Sequence, residues 1–264
     1  MTTNDVESRV ALHYIRTGPR GGTPLLFLHA LGLDLSVWES QIAAFGADHD
    51  VIAVDLPGHG RTPQTDDAPR FAAFSDSLVQ FLNGLDIAAV DVVGLSVGGM
   101  IAQTLAVRAP ERVRSLTLVA TSCTFPDPVR QNLRERAHYA RDHGMAALAP
   151  LHVARWFPDA FRAVRPDLID RLTKILLRQD NAFHAEMWAM VASLDVAQQL
   201  ETVQCPVLVV AGQDDASASP AAGQRIVECA PDAALHVMPE CGHFPPMEFP
   251  AAFNALLRAF LHRE

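Results

Sequence analysis

A chain of 264 residues, 49% of them hydrophobic, is long enough to bury one large core and is of a size that an α/β fold commonly fills as one domain. Thirty acidic against twenty-one basic residues give a net charge of −9, and no basic, aromatic-interleaved patch offsets it, which argues against a nucleic-acid partner. Four cysteines without C-x-x-C spacing and the lack of an H-E-x-x-H pair argue against zinc and for free thiols. The polar start Met1 to Ser8, and apolar runs too short to span a bilayer, argue against secretion or membrane insertion, so the expected location is cytoplasmic.

Along the chain, short apolar, β-branched runs predict strands at Pro24 to Leu28, Val51 to Val54, Ala89 to Val93, Val113 to Ala120, Val207 to Ala211 and Ala234 to Met238. Helix-like segments separate them. This alternation predicts an α/β fold, a mostly parallel central sheet with helices on both faces. The segment Thr62 to Arg70, rich in Pro, Asp and Thr, reads as an exposed, mobile loop. Between Asp127 and Gln199 the alternation stops: Val129 to Asp142, Pro166 to Gln179 and Ala182 to Leu194 all read as helices, with no buried strand among them. The expected organisation is therefore a core of residues 1–126 and 200–264 carrying a helical cap of residues 127–199.

The strongest chemical signal is Gly94-Leu95-Ser96-Val97-Gly98, which follows the strand at Ala89 to Val93 and opens a helix. A serine hydroxyl is a weak nucleophile unless a base can reach it, and a sharp strand-to-helix turn exposes it to one. Glycines two positions to either side give such a turn room, and the new helix brings its N-terminus to any developing oxyanion. Glycine spacing at 94, 98 and 99 fits neither a dinucleotide loop nor a P-loop. Downstream, Gly212-Gln213-Asp214-Asp215 ends a strand and offers two competing acids, and Gly242-His243 sits on a loop after another strand. His243 is the expected general base. The remaining histidines lack a motif: His13, His49, His138, His143, His152, His184, His236 and His262 read as structural or solvated, His59 as support for a turn, and His29 as a strand end.

These landmarks, with Leu26-Phe27-Leu28-His29-Ala30-Leu31-Gly32 and Asp55-Leu56-Pro57-Gly58-His59-Gly60-Arg61, occur in the order found in the α/β-hydrolase superfamily, which the chain resembles along nearly its whole length. The resemblance implies an α/β-hydrolase fold and a triad of Ser96, Asp215 and His243. Asp215 is preferred to Asp214 because the hydrolase pattern reads G-x-x-D. It also implies an oxyanion hole from the backbone amides of Val97 and Leu31. Within the superfamily the chain most resembles the 3-oxoadipate enol-lactonase group. That narrower likeness rests on Leu31-Gly32-Leu33-Asp34-Leu35-Ser36-Val37-Trp38, on Ala109-Pro110-Glu111-Arg112-Val113 and on Trp156-Phe157.

The implied activity is hydrolysis of a small carboxylic ester or lactone through an acyl-enzyme, without a cofactor. The same triad would also serve a C–C bond hydrolase or a cofactor-free haloperoxidase, and a noncatalytic binding protein is the remaining class. Ten Lys+Arg against nine Asp+Glu between Asp127 and Gln199 leave the cap at +1 and the remainder at −10, which favours an anionic small-molecule substrate. Arg130, Arg134, Arg141, Arg155, Arg162 and Arg178 are the candidate partners for its charge, and Trp38, Trp156 and Trp188 are the candidate indoles of the pocket, Trp156 and Trp38 being expected to line it.

Overall fold

A computed structural model describes residues 11–263, so the polar N-terminal stretch lies outside the described residues. The elements run β1 (Tyr14–Thr17), β2 (Leu25–Leu28), α1 (Glu39–Phe45), β3 (Val51–Val54), α2 (Phe71–Gly84), β4 (Val90–Leu95), α3 (Val97–Arg108) and β5 (Val113–Val119). They continue through α4 (Asp127–Trp156), α5 (Asp159–Val164), α6 (Pro166–Leu176), α7 (Asn181–Ala192), β6 (Val207–Gly212), α8 (Pro220–Cys229), β7 (Ala233–Met238), α9 (Pro245–Glu248) and α10 (Pro250–Leu261). The strands form one seven-stranded sheet in the order β1-β3-β2-β4-β5-β6-β7. Every pairing is parallel except β1 with β3. Each strand expected from an apolar run is present, and the fold is the expected α/β sheet. The sequence reading missed β1, an edge strand whose half-exposed Tyr-Ile-Arg-Thr carries no apolar run.

Central strands of a parallel sheet are covered on both faces and so read as continuous apolar runs whose alternate residues serve opposite cores. In β2, Leu26 and Leu28 join one core with Leu78 of α2 and Ile101 and Leu105 of α3. Leu25 and Phe27 join the other with Phe45 of α1 and Phe253 and Leu257 of α10. After β2 the chain turns to one side for β3 and then returns to the other side of β2 for β4. That reversal opens a crevice at the carboxyl ends of β2 and β4, where ligands of open α/β sheets bind.

Helices α4 to α7 fall between β5 and β6, in the stretch expected to be helical. The entry and exit of this insertion are tied together by a bridge between Thr124 and Asp195, by Thr124 Oγ1 donating to Asp195 Oδ1 at 3.0 Å, and by the Val196 amide donating to the Cys123 carbonyl at 2.9 Å. The long α4 breaks at Gly144, whose φ of 73° is left-handed, and its second arm restarts with the Met145 amide donating to Asn181 Oδ1 at 3.0 Å. Met187, Met190 and Val191 of α7 merge with the core of the sheet. The Thr62–Arg70 segment is largely exposed except for Thr62, whose hydroxyl donates to the Asp55 carbonyl at 2.7 Å.

Candidate active site

Ser96 stands alone between β4 and α3 with φ 55° and ψ −116°, a backbone conformation that costs a non-glycine residue about 1–3 kcal/mol. Its amide donates to the Val119 carbonyl at 2.8 Å, and its carbonyl accepts from Thr121 Oγ1 at 2.7 Å, which hold the turn. The flanking glycines answer to close approach. A Cβ on Gly94 would lie 2.5 Å from the Gly98 carbonyl oxygen, and one on Gly98 would run into the Leu28 carbonyl at the end of β2. Val97 opens α3, so its amide has no intrahelical acceptor. The Leu31 amide has no protein acceptor among the described residues, and Leu31, Val97 and Ser96 line one cavity. The loop carrying Leu31 is pinned by His29, whose Nδ1 donates to the Ala30 carbonyl at 2.8 Å and whose Nε2 accepts from the Leu56 amide at 2.9 Å. Those two bonds fix a neutral ring, and burial lowers its pKa accordingly.

Asp215 follows β6 and His243 follows β7, and the two meet: His243 Nδ1 lies 2.7 Å from Asp215 Oδ2, with both residues buried. Asp215 Oδ1 accepts from the amides of Ser217 at 2.6 Å and Ala218 at 3.0 Å, so the carboxylate is held at both oxygens. Asp214 points to solvent and is tied down only through its amide, which donates to the Cys241 carbonyl at 2.8 Å. His243 lines the same cavity as Ser96; no hydrogen bond joins it to Ser96 Oγ among the described residues, a common condition of such pairs before substrate binds.

A buried carboxylate that the sequence reading passed over holds the histidine loop. Glu248 Oε2 accepts from the Gly242 amide and Oε1 from the Phe244 amide, each at 2.8 Å, bracketing His243 from both sides. Burial pushes the Glu248 pKa up, and the two amides pull it back. The His243 amide donates to the Trp156 carbonyl at 2.8 Å, which ties the loop to the end of α4. Gly212 is required where β6 meets this loop, because a Cβ there would collide with the Gly242 carbonyl. Cys241 is fully buried and its thiol pKa is raised, chiefly by that burial, so it is an inert packing residue.

The cavity above Ser96 measures about 140 Å³. An engineered cavity of roughly 150 Å³ admits benzene, so this space suits a small ring. Its floor comes from the sheet's carboxyl edge and its roof from α4 and α7. Trp156 lines it as expected. Trp38 does not: it is 0% exposed, packed against Phe27 and Phe253 at centroid distances of 4.8 and 6.5 Å, and belongs to the core. An apolar ring beside a strand end serves core or pocket equally well by sequence, and here the core takes it. Trp188 of α7, the third candidate indole, does line the cavity.

Of the six candidate arginines only Arg155 reaches the cavity. Arg130 instead braces the base of the insertion, donating to the Ala192 carbonyl at 2.7 Å, and Arg162 pairs with Asp159. Arg134, Arg141 and Arg178 face solvent. Arg136, which sequence reasoning did not single out, does line the cavity, 5.3 Å over the Trp188 ring. Burial, with Arg155 nearby, pulls its pKa down to about 10, still protonated at neutral pH. No Asp or Glu lines this cavity, and neither arginine has a carboxylate partner among the described residues. His152, read from sequence as structural or solvated, is a cavity residue as well. Among the described residues no group of three His, Cys, Asp or Glu side chains is placed to hold a metal ion.

The fold, the strained serine turn and the buried Asp–His pair define a class, and a family model described as the alpha/beta hydrolase fold matches residues 23–250: the chain belongs to the α/β-hydrolase family and is a hydrolytic enzyme. It is 31% identical to 3-oxoadipate enol-lactonase 2 of Acinetobacter baylyi over 96% of this chain and 94% of that protein. Its structure resembles the enol-lactonase of Burkholderia xenovorans, with a TM-score of 0.90 at 26% identity and 96% of each chain covered. A thermophilic esterase of Thermogutta terrifontis is also similar, with a TM-score of 0.88 at 27% identity, covering 96% of this chain and 93% of that one.

Proposed function

We propose that the enzyme cleaves a small anionic carboxylic ester or lactone through an acyl-enzyme on Ser96, with 3-oxoadipate enol-lactone as the concrete substrate. The observation that carries this reading is that His243, bonded at Nδ1 to the buried Asp215, opens onto the cavity that exposes Ser96. In this reading Asp215 accepts the Nδ1–H of His243 and so presents Nε2 as the base. Nε2 takes the Ser96 proton as Oγ attacks the carbonyl carbon, and the tetrahedral oxyanion is met by the amides of Val97 and Leu31. Such donors contribute about 2.7–4 kcal/mol each. Collapse expels the alkoxide or enolate, which His243 protonates; in a lactone it stays tethered to the acyl group. A water then enters, His243 deprotonates it, and hydrolysis frees Ser96.

Helices α4 to α7 act as a cap that limits the size of substrate, and Arg136 and Arg155 supply positive charge to a cavity that no acidic residue lines among the described residues. That is the support for an anionic substrate. The similarity to proteins named as enol-lactonases supports the particular lactone. The cysteines in the described structure, Cys123, Cys205, Cys229 and Cys241, are all free, which supports a reducing, cytoplasmic setting. The test is the ultraviolet absorbance loss of 3-oxoadipate enol-lactone, corrected for spontaneous hydrolysis, with wild-type enzyme and Ser96→Ala. Fast loss that depends on Ser96 is expected; no acceleration by the wild type removes the enol-lactone and leaves the ester panel to be searched.

A further inference from the structure

His152 has no part in the reaction just described, yet its surroundings are organised with care. The ring is 5% exposed and lies between two indoles, 5.1 Å from Trp156 at an interplanar angle of 25° and 5.6 Å from Trp188 at 6°. Its Nε2 is 3.4 Å from Nε2 of His184, and that same His184 nitrogen accepts from Trp188 Nε1 at 3.1 Å. An indole N–H can only donate, so His184 Nε2 carries a lone pair and its proton sits on Nδ1. A second lone pair facing it from His152 would repel. The better arrangement puts a proton on His152 Nε2, where at 3.4 Å it shares the His184 lone pair already bonded by Trp188, and leaves a lone pair on His152 Nδ1.

That Nδ1 has no protein partner among the described residues, and it is absent from the set of fully buried unpartnered atoms, to which His184 Nδ1 belongs. It therefore keeps some exposure, in a ring that lines the cavity. An outer recess shares Arg136, His152 and Arg155 with that cavity, so the ring stands beside the route to Ser96. Both arginines are pure donors. Burial and their charges hold the His152 pKa down to about 3, which keeps the ring neutral at physiological pH.

We propose that His152 is a specificity residue: held by His184 and Trp188 as the Nε2–H tautomer, it accepts through Nδ1 a hydrogen bond from a hydroxyl group that the substrate carries or that opening of a lactone frees. The preferred substrate class is thus an ester or lactone that bears a carboxylate and either carries a hydroxyl or, as an enol-lactone does, frees one on ring opening; the arginines take the anion and His152 takes the hydroxyl. This rests on the anionic-substrate reading above. A ligand with a carboxylate and no hydroxyl leaves the buried acceptor unpaired once water is expelled, so a hydroxylated ligand or the ring-opened enol is held more tightly than an analogue that never presents a donor.

The test is a binding titration followed by tryptophan fluorescence, which needs no turnover. Trp156 and Trp188 flank the ring, whereas Trp38 is a constant background in the core. The probes are butyrate, 2-hydroxybutyrate and 3-hydroxybutyrate, applied to the wild type and to His152→Phe, which keeps an aromatic ring in the stack. The expected result is that at least one hydroxy acid binds the wild type about ten-fold more tightly than butyrate, equivalent to about 1.4 kcal/mol. The advantage should vanish in His152→Phe while butyrate affinity is kept. Equal affinities in the wild type, or an advantage that survives His152→Phe, overturns the proposal and leaves the arginine site standing. No binding of any probe overturns both. A readout independent of the variant's folding is the ¹⁵N spectrum of the wild-type His152 ring, expected to show a protonated Nε2 and a bare Nδ1; the opposite tautomer refutes the assignment.

Discussion

Acid should unfold this enzyme early, because it buries neutral histidines. His59 and His152 are pushed down to about 3, chiefly by burial, and His29 and His184 are lowered for the same reason. A histidine whose pKa is lower folded than unfolded takes up its proton only on unfolding. Its stabilising contribution is present above the unfolded value of 6.5 and is lost as the pH falls toward the folded value. At pH 5.5 an unfolded imidazole is about nine-tenths protonated, so each buried ring costs about 1.4 kcal/mol there. His59 and His152 together remove about 3 kcal/mol between pH 7.5 and 5.5, and His29 and His184 add to the loss. Glu248 works the other way, since its raised pKa gives stability that is present at acid pH and lost as pH rises through the folded value. For a chain of this size about 2–4 °C of Tm accompanies each kcal/mol, so the pair alone lowers Tm by about 6–12 °C. Calorimetry at pH 7.5 and 5.5, with proton uptake measured in two buffers of different ionisation heat, is the assay. Uptake of roughly two to four protons on unfolding at pH 5.5 is expected. A Tm that does not move, or uptake below about one proton, refutes the reasoning.

Asp215→Asn should lower kcat by about 10⁴ while Asp214→Asn leaves it within a few-fold, since only Asp215 reaches the ring; equal small losses would remove Asp215 from the triad. Gly98→Ala pushes a methyl into the Leu28 carbonyl and should cost about 1–3 kcal/mol in denaturant unfolding together with most of the activity, because the turn that presents Ser96 must shift; an unchanged midpoint and rate would contradict this. Glu248→Gln turns one acceptor into a donor facing a backbone N–H and leaves that amide unpaired, so a loss of about 1–3 kcal/mol is expected, with kcat falling more than KM rises as His243 loses its bracket. A raised KM at unchanged kcat would instead make Glu248 a binding group.

Most of the sheet was legible because its central strands are buried on both faces and therefore show as short, largely apolar, β-branched runs. The missed strand, Tyr14–Thr17, lies at the edge with its side chains half in water, where nothing forces an apolar pattern. The sharp turn at Ser96 and the meeting of Asp215 with His243 were legible because the backbone around them is constrained: Gly98 and Gly212 stand where carbonyls approach too closely for any side chain. The roof of the cavity was not legible in the same way. Which face of α4 looks inward depends on the break at Gly144 and on packing against α7, so Arg136 and His152 carry no local signal that sets them apart from Arg134 or His138. Trp38 failed for the converse reason, since hydrophobicity marks burial without saying whether protein or ligand covers the ring. Glu248 had one faint signal, a charged residue inside the otherwise apolar Phe244–Phe249 segment, which only a pair of orphan amides explains.

The central claim is that Ser96 is a nucleophile activated by His243. Intact-mass spectrometry after exposure to a fluorophosphonate, with peptide mapping of the adduct, tests it most directly. One adduct per chain, located on Ser96, absent from Ser96→Ala and slowed by orders of magnitude in His243→Ala, is the predicted result. Failure of the wild type to label, labelling at another residue, or undiminished turnover in Ser96→Ala would contradict it.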